Sequence, residues 1–132
     1  MAKKSYDVIV PHDYKIQPAE LEAASVLADY FKSNVRVLSP SKDYLVKTAD
    51  FVINDVSYEL KSPITKSVRS IENMIHLATK QSGNVVVDIR KSKITEKRMI
   101  KLSEDLLKFY KKLNKIVLIV KNKKVLEFTK KM

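Results

Sequence analysis

The sequence predicts a single α/β domain in which helices flank a mixed β-sheet. Segments with the 3.6-residue period of an amphipathic helix alternate with short runs of β-branched residues, as in layered α/β folds. The 132 residues are enough for one hydrophobic core and too few for two, so we treat residues 1–132 as one domain. The apolar content of 45% and the charged content of 31% are typical of a globular chain.

The first half of the chain predicts one helix and three strands. The helix begins at Pro18, because proline suits a first turn, and one apolar stripe follows: Leu21, Ala24, Leu27, Ala28 and Phe31. Residues 34–38 (NVRVL) contain two β-branched valines and predict a short strand, which a polar loop, SPSKDYLVKT, follows. Two strand-like runs then flank Asn54 and Asp55, so we expect a hairpin with a tight turn.

The second half predicts two helices, a central strand and a second hairpin. Residues 66–81 have helical period, with Val68, Ile71, Ile75 and Ala78 on one side, and Ser82-Gly83 ends the helix. The nearly continuous apolar run at 84–89 is typical of a strand covered on both faces. Thr95 can cap a long helix to about Leu113, with inward-facing Met99, Leu102, Leu106, Phe109 and Leu113. Residues 116–120 and 125–128 form the last hairpin. The predicted order is α-β-β-β-α-β-α-β-β, to which SYDVIV near the start could add one strand.

The positive charge is concentrated in the last third of the chain. The net charge is +11; residues 90–132 contain 15 Lys/Arg and 4 Asp/Glu, whereas residues 1–89 contain 11 of each. The end of the last helix and the residues just after it contribute Lys108, Lys111, Lys112 and Lys115. Such one-sided basicity is typical of proteins that bind a polyanion, although solvated lysines can also simply keep a small protein soluble.

Composition excludes several classes of site. The chain has no cysteine, which rules out disulfides, thiolate zinc sites and a cysteine nucleophile. The single glycine, Gly83, leaves no glycine-rich phosphate loop. His12 and His76 stand in no metal-ligand spacing, and we expect both at the surface. No apolar run approaches the ~20 residues of a membrane helix, and the start shows no export signal, so no membrane contact is expected.

The strand VSYELKS places charged side chains together. Residues two apart on a strand point the same way, so Tyr58 and Leu60 share an apolar face that we expect toward the core. Glu59 and Lys61 share the opposite face and are expected to project together away from the core. Asp50 lies across the hairpin, within reach of Glu59. The two carboxylates and the backbone carbonyl of Leu60 make an oxygen-rich site of the kind that Mg²⁺ or Mn²⁺ prefers. A nearby lysine can orient water or offset charge on a phosphate; the simpler alternative is a hairpin ion pair.

The pattern Asp50-x8-Glu59-Leu60-Lys61, within this order of elements, resembles the PD-(D/E)XK nuclease superfamily over roughly residues 18–90. Ala49 stands where the motif has proline. More narrowly, KTADFVINDVSYELKSP followed by KQSGNVVVDIR is similar to the tRNA-nuclease domains at the C-termini of bacterial contact-dependent inhibition toxins. The resemblance implies a restriction-endonuclease-like core at about 18–90, to which a basic helix and a C-terminal hairpin at 91–132 are added.

The same resemblance implies further site residues. Superfamily members often add a carboxylate from the first helix, and Glu20 fits best, with Glu22 as the second choice; a solvated helix-terminal acid is the alternative. Gln81 matches a Gln or Lys that helps to orient the site, although from the residue alone we favour a polar cap at the C-terminus of the helix. Asp88 ends the buried strand, where we favour a structural hydrogen-bonding role over a metal ligand.

The resulting hypothesis is a toxin-like, metal-dependent nuclease that acts on tRNA in a bacterial cytoplasm, with an immunity protein as a potential partner. Its phosphate-contacting residues would be Lys66, Arg69, Lys80, Arg90, Lys93, Lys97, Lys108, Lys111 and Lys112. We expect the aromatic residues Tyr30, Tyr44, Phe109 and Tyr110 in the core or at its rim rather than stacked on bases.

Three alternatives stay open from the sequence. The first is a DNase with the same fold. The second is a metal-independent RNase of the barnase/colicin-like type, which would cut in EDTA. The third is a basic nucleic-acid-binding module in which the hairpin acids are purely structural and which cleaves nothing.

Overall fold

The computed structural model describes residues 6–39 and 49–130 of the chain. The described part contains seven strands and three helices, in the predicted order with the additional first strand. The elements are β1 (Val8–Ile9), α1 (Pro18–Phe31), β2 (Val35–Val37), β3 (Phe51–Ile53), β4 (Val56–Lys61), α2 (Val68–Ala78), β5 (Asn84–Asp88), α3 (Glu96–Phe109), β6 (Lys115–Ile119) and β7 (Val125–Thr129). The predicted mixed α/β fold is therefore confirmed.

The strands form one sheet whose spatial order is the same as their order in the chain. β1 pairs with β2 in parallel, and β2, β3 and β4 follow as an antiparallel meander. The central strands β4, β5 and β6 are parallel, and β7 returns antiparallel to β6. Parallel neighbours need crossover connections, and α2 and α3 supply these between β4, β5 and β6.

Helices cover the sheet unevenly. One core cluster packs α1 against the strands, and a second packs α2 and α3 against the other face of β5 and β6. α2 lies on β4 and β5, and α3 lies on β6 and β7. On this second face, none of the described helices packs on β1 to β3, and Ile9 is 48% exposed there. This part of the sheet is open beside α2. None of the described helices combines the length and apolarity needed to cross a membrane.

Local signals in the sequence set the ends of these elements. Pro18 occupies the first turn of α1, and the side chains of Ser67 and Thr95 accept N-cap hydrogen bonds at the starts of α2 and α3. Asn54 and Asp55 both have positive φ, 51° and 64°, as a tight hairpin turn with the twist of its strands requires. The predictions for Pro18, Thr95 and the Asn54–Asp55 turn are confirmed, whereas the helix predicted over residues 66–81 is shorter, at Val68–Ala78.

Two predicted core positions are wrong. Leu21 is 40% exposed, and Ala23 is buried on α1 in its place. Phe109, predicted to face inward, is 71% exposed. α3 ends at Phe109 rather than near Leu113, because the chain turns toward β6 and Asn114 donates its N–H to the carbonyl of Gly83 at 2.7 Å. A turn that packs against another segment cannot be recognised from helical period alone.

Candidate active site

Three residues of the predicted site, Asp50, Glu59 and Lys61, lie where β3 and β4 pair. Phe51 pairs with Tyr58, yet the N–H of Asp50 also donates to the carbonyl of Tyr58, at 2.9 Å. Two successive residues, Asp50 and Phe51, therefore lie opposite one residue of β4, which is the arrangement of a β-bulge. The Asp50 side chain reaches β4, where its Oδ2 accepts a hydrogen bond from the N–H of Leu60 at 2.8 Å.

Glu59 is buried, with an exposure of 6%. In the register of β4 with β5, Glu59 lies beside Val85 and Lys61 beside Val87, and these valines pack under α2 and α3. Tyr58 belongs to the core cluster on the opposite face, under α1. The predicted alternation is therefore confirmed. The expectation that Glu59 projects away from the core is wrong, because helices cover both faces of the sheet at β4.

The charged groups of this hairpin are close together. The Nζ of Lys61 lies 3.6 Å from Oε2 of Glu59, and the Lys61 side chain is partly exposed. The Asp50 carboxylate is close enough to hydrogen-bond to the protonated form of Glu59. Among residues 6–39 and 49–130, the buried Oε1 of Glu59 has no hydrogen-bond partner. An unpaired buried carboxylate oxygen is costly, so the site has a free acceptor that a cation would satisfy.

The same surroundings shift the protonation of Glu59. Burial raises its pKa from 4.5 to about 7. The Asp50 carboxylate contributes to this increase, by charge repulsion and by hydrogen bonding to the protonated form, whereas the Lys61 ammonium lowers the pKa. Near neutral pH, the carboxyl of Glu59 therefore exchanges readily between its charged and neutral forms.

This pKa predicts a pH-dependent stability. Because Glu59 binds its proton more tightly in the folded state, the free energy of unfolding should fall as pH rises from about 4.5 to about 7 and should then level off. Glu59→Gln should remove this pH dependence of the free energy of unfolding. In EDTA, the variant should match wild type near pH 4.5 and exceed it at pH 8 by up to about 3 kcal/mol. Denaturant titrations across this pH range measure the difference, and parallel curves for the two proteins would contradict it.

The oxygen atoms available at this site fit the preferences of a hard divalent cation. Two carboxylates converge, and the carbonyl of Leu60 lies on the same side of its strand as the N–H that faces Asp50. These are oxygen ligands, as Mg²⁺ and Mn²⁺ prefer. Within the described segments, no three His, Asp or Glu side chains cluster closely enough to hold a metal. Side chains of the described part could therefore supply at most two ligands to such an ion, from Asp50 and Glu59.

Glu20 does not form such a cluster with Asp50 and Glu59 in the described structure. Its Oε1 instead accepts a hydrogen bond from the hydroxyl of Tyr14 at 2.7 Å. This hydrogen bond is the main cause that raises the pKa of Tyr14 to about 12, and the charge of Asp50 also contributes. The Tyr14–Glu20 pair thus lies within electrostatic reach of the site. No sequence pattern singled out Tyr14, because its hydrogen bond to Glu20 depends on how residues 10–17 pack.

Gln81 lies in the turn between α2 and β5. Its N–H donates to the carbonyl of Ala78 at 3.0 Å, and the hydroxyl of Ser82 donates to the carbonyl of Ser57 at 2.8 Å, which joins this turn to β4. The Oε1 of Gln81 is buried and has no hydrogen-bond partner in the part of the chain that the structure describes. A side-chain oxygen cannot satisfy helix-terminal carbonyls, so this atom gives no support to the polar-cap interpretation.

Asp88 and Arg90 form an ion pair at the end of β5. The Nε and Nη2 of Arg90 donate to the Asp88 carboxylate at 2.9 and 2.7 Å, and its Nη1 donates to Glu22 on α1. Glu22 also lies 3.3 Å from the Nζ of Lys123. The predicted phosphate contact of Arg90 finds no support, because its guanidinium is engaged by two carboxylates. The structural interpretation of Asp88 agrees with this geometry.

The other predicted phosphate-contacting residues are exposed or partly exposed: Lys66, Arg69, Lys80, Lys93, Lys97, Lys108, Lys111 and Lys112. Lys115 differs from them, since its Nζ donates to the hydroxyl of Tyr58 at 3.0 Å and lies 3.3 Å from Glu127. It also lies over the ring of Phe31, 5.3 Å from the centroid. Lys115 is therefore anchored against α1 and does not contribute to the free basic surface.

The histidines and aromatic residues follow the predictions in part. His12 and His76 are exposed, as expected, and Tyr110 is half-buried. Tyr30 is 42% exposed, which fits a position at the rim of the core. Tyr44 lies outside the described residues.

Comparisons with known proteins agree with this architecture. The model of the family "Contact-dependent growth inhibition CdiA C-terminal domain" matches residues 47–125, which include Asp50, Glu59 and Lys61. A solved structure, "CdiA-CT/CdiI toxin and immunity complex from Burkholderia pseudomallei", is similar with a TM-score of 0.71 at 19% identity, over 93% of this chain and 98% of that one. No curated protein sequence matches the chain. Since the family model covers more than half of the sequence, the chain belongs to the family of CdiA C-terminal toxin domains of contact-dependent growth inhibition.

Proposed function

We propose that this toxin domain is a metal-dependent endonuclease of the PD-(D/E)XK type that hydrolyses phosphodiester bonds, with tRNA as the favoured substrate. The observation that carries the proposal is the convergence of Asp50, Glu59 and Lys61 at the β3–β4 bulge. An ordinary hairpin ion pair would not require a buried carboxylate with an unpaired oxygen and a pKa of about 7. Perturbed, partly buried titratable groups of this kind are typical of catalytic sites.

Each residue of the site has a distinct task in this proposal. Asp50, Glu59 and the carbonyl of Leu60 would hold a Mg²⁺ or Mn²⁺ ion. When bound, such an ion supplies Lewis-acid stabilisation of the charge that develops on the phosphate and makes water easier to deprotonate. The Lys61 ammonium, fixed beside Glu59, can hold the attacking water by a hydrogen bond and offset negative charge in the transition state.

Two further groups are assigned positioning tasks. Gln81, whose Oε1 lacks a partner among the residues described, would help to orient the site from the end of α2. Glu20 would act through its hydrogen bond with Tyr14, within electrostatic reach of Asp50, rather than as a direct third ligand.

The substrate would be gripped through its phosphates. Lysines and arginines on α2, on α3 and around their ends form a basic surface on the sheet face that carries Glu59. Such contacts position a nucleic acid without reading its sequence. The likeness of the motif to tRNA-nuclease domains favours tRNA over DNA, and the similar solved structure is that of a toxin and immunity complex. We accordingly propose action in the cytoplasm of a target bacterium and a cognate immunity protein as partner.

The contribution of the basic surface to nucleic-acid binding can be measured from the salt dependence of the binding constant. Replacing Lys108, Lys111 and Lys112 by Gln should weaken nucleic-acid binding, because fewer phosphates are neutralised and fewer counterions are released. The slope of log K against log salt concentration should flatten by about 0.7 to 0.9 for each phosphate that is no longer neutralised. A matched variant with three Lys→Arg changes keeps the charge and should keep the slope. If the Gln variant also keeps the wild-type slope, this end of α3 is only a solvated surface.

The deciding experiment is a cleavage assay. Purified protein is incubated with total tRNA and, separately, with duplex DNA, each in Mg²⁺, Mn²⁺ or EDTA. The proposal expects tRNA fragments with a divalent metal and none in EDTA. Metal-dependent cleavage of DNA alone would identify a DNase, and RNA cleavage in EDTA with 2′,3′-cyclic phosphate ends would identify a metal-independent RNase. No cleavage of any substrate would leave a non-catalytic binding module.

A further inference from the structure

An exposed aromatic side chain ends α3. Phe109 is 71% exposed, far more than Tyr30 at 42%. Its neighbour Tyr110 is held in place instead, because the Tyr110 hydroxyl donates to Glu72 on α2 at 2.9 Å. The Tyr110 ring also meets that of His76 edge-on, at 5.3 Å between centroids. These interactions fix the end of α3 beside the middle of α2 and leave the Phe109 ring in solvent.

The surface around Phe109 is basic. Lys108, Lys111 and Lys112 lie within three residues of it, all exposed, and no described carboxylate forms an ion pair with any of them. Glu72, the acid beside Tyr110, already accepts a hydrogen bond from that hydroxyl. A phenyl ring among unpaired lysines has little apolar surface around it. This composition differs from the water-excluding patches on which proteins usually dock.

One exposed side of α2 lies beside this basic surface. Arg69, Asn73 and His76 are spaced at i, i+4 and i+7, so they share a helix face that is open to solvent. His76 meets Tyr110 at the end of α3, and Lys80 follows His76 one turn later. α2 itself lies on β4, the strand of Glu59 and Lys61. The exposed face of α2, opposite to the one that packs on β4, therefore continues the surface that begins at Phe109.

We propose that Phe109 is a stacking platform for an unpaired base of a nucleic acid whose phosphates contact the surrounding lysines. The inference deepens the proposed nuclease function, on which it rests, by naming a substrate class: a nucleic acid with unpaired nucleotides, in a loop or at an end. Any base can stack on an aromatic ring, so the platform favours unpaired nucleotides over paired ones without favouring a particular base sequence. Bases inside a duplex are already stacked and cannot use it.

The test measures binding in EDTA, so that metal-dependent cleavage plays no part. A 12-nucleotide single-stranded RNA and a blunt RNA duplex are titrated into wild type, Phe109→Ala and Phe109→Trp. Stacking on one aromatic side chain contributes enough that Phe109→Ala should raise the Kd for the single strand by about 5- to 100-fold. Affinity for the duplex should change less than about twofold, since its bases cannot reach the ring. Phe109→Trp should bind the single strand at least as well as wild type.

Two controls separate stacking from other effects. Leu21→Ala removes another exposed apolar side chain, on the lysine-free helix α1, and should leave both affinities unchanged. A 2-aminopurine base in the single strand should lose fluorescence on binding to wild type and lose much less with Phe109→Ala. Phe109→Ala should also leave the melting temperature close to that of wild type, because the ring is exposed.

The outcomes distinguish this inference from the nuclease proposal. If wild type and Phe109→Ala bind the single strand with equal affinity, the inference is overturned. This holds even if the protein cleaves tRNA with Mg²⁺, and even if the variant has lost binding to a protein partner. Equal reductions in affinity for single strand and duplex also overturn it. Conversely, a Phe109-dependent preference for single strands in a protein that cleaves nothing supports the inference and refutes the nuclease.

Discussion

Glu59→Gln should lower the rate of phosphodiester cleavage by at least about 10²–10³-fold while the protein folds normally. Loss of one preorganised electrostatic group commonly costs this factor, and Glu59 would in addition be a metal ligand. The amide has nearly the same shape as the carboxyl, and its NH₂ can donate to Asp50, so packing under α2 should be retained. Single-turnover assays with saturating protein measure the chemical step directly.

Lys61→Ala should produce a similar loss of cleavage, since its ammonium lies 3.6 Å from Glu59 at the site. Glu104→Gln and Lys121→Ala are matched controls, because both residues are exposed and lie outside the hairpin of β3 and β4. If Glu59→Gln cleaves as fast as wild type, the active site lies elsewhere and the metal-independent RNase becomes the better explanation. A hairpin ion pair without catalytic function predicts a different pattern, with cleavage unchanged in both Glu59→Gln and Lys61→Ala.

Asp88→Ala should have the largest effect on stability, lowering the free energy of unfolding by about 3–5 kcal/mol. The Arg90 side chain is only 12% exposed, and the substitution removes its bidentate partner. The carboxylate also accepts a hydrogen bond from the backbone N–H of Arg90 at 3.1 Å, and the substitution removes that bond as well. Denaturant unfolding at pH 7 measures the change.

Two further variants separate the buried pair from its exposed partner. Glu22→Ala removes the more exposed of the two carboxylates and should cost at most about 1 kcal/mol. Asp88→Ala combined with Arg90→Met should be more stable than Asp88→Ala alone, since the double variant no longer holds a largely buried guanidinium whose one remaining partner is the exposed Glu22. A stable but inactive Asp88→Ala protein would instead identify Asp88 as part of the active site, and Arg90 would have to be reconsidered as a phosphate-binding residue.

Local sequence determined much of this protein. Proline at the start of α1, the cap Thr95 and the Asn54–Asp55 turn act within a few residues of themselves, so their effects could be predicted one element at a time. The alternation along β4 is equally local, because side chains on a strand point to opposite faces in turn. It was therefore possible to predict that Glu59 and Lys61 project together, with Asp50 across the hairpin.

Tertiary packing decided the properties that make this hairpin a candidate site. Glu59 is buried because α2, which follows β4 in the chain, folds back over it, and that burial raises its pKa. The bulge beside Asp50 depends on strand pairing rather than on residue type. Arg90 is withdrawn from the basic surface by Glu22, 68 residues earlier, and Phe109 is left in solvent where α3 ends. A contact between two residues that are distant in the chain leaves no mark on the hydrophobic periodicity of either segment, so only the folded structure reveals it.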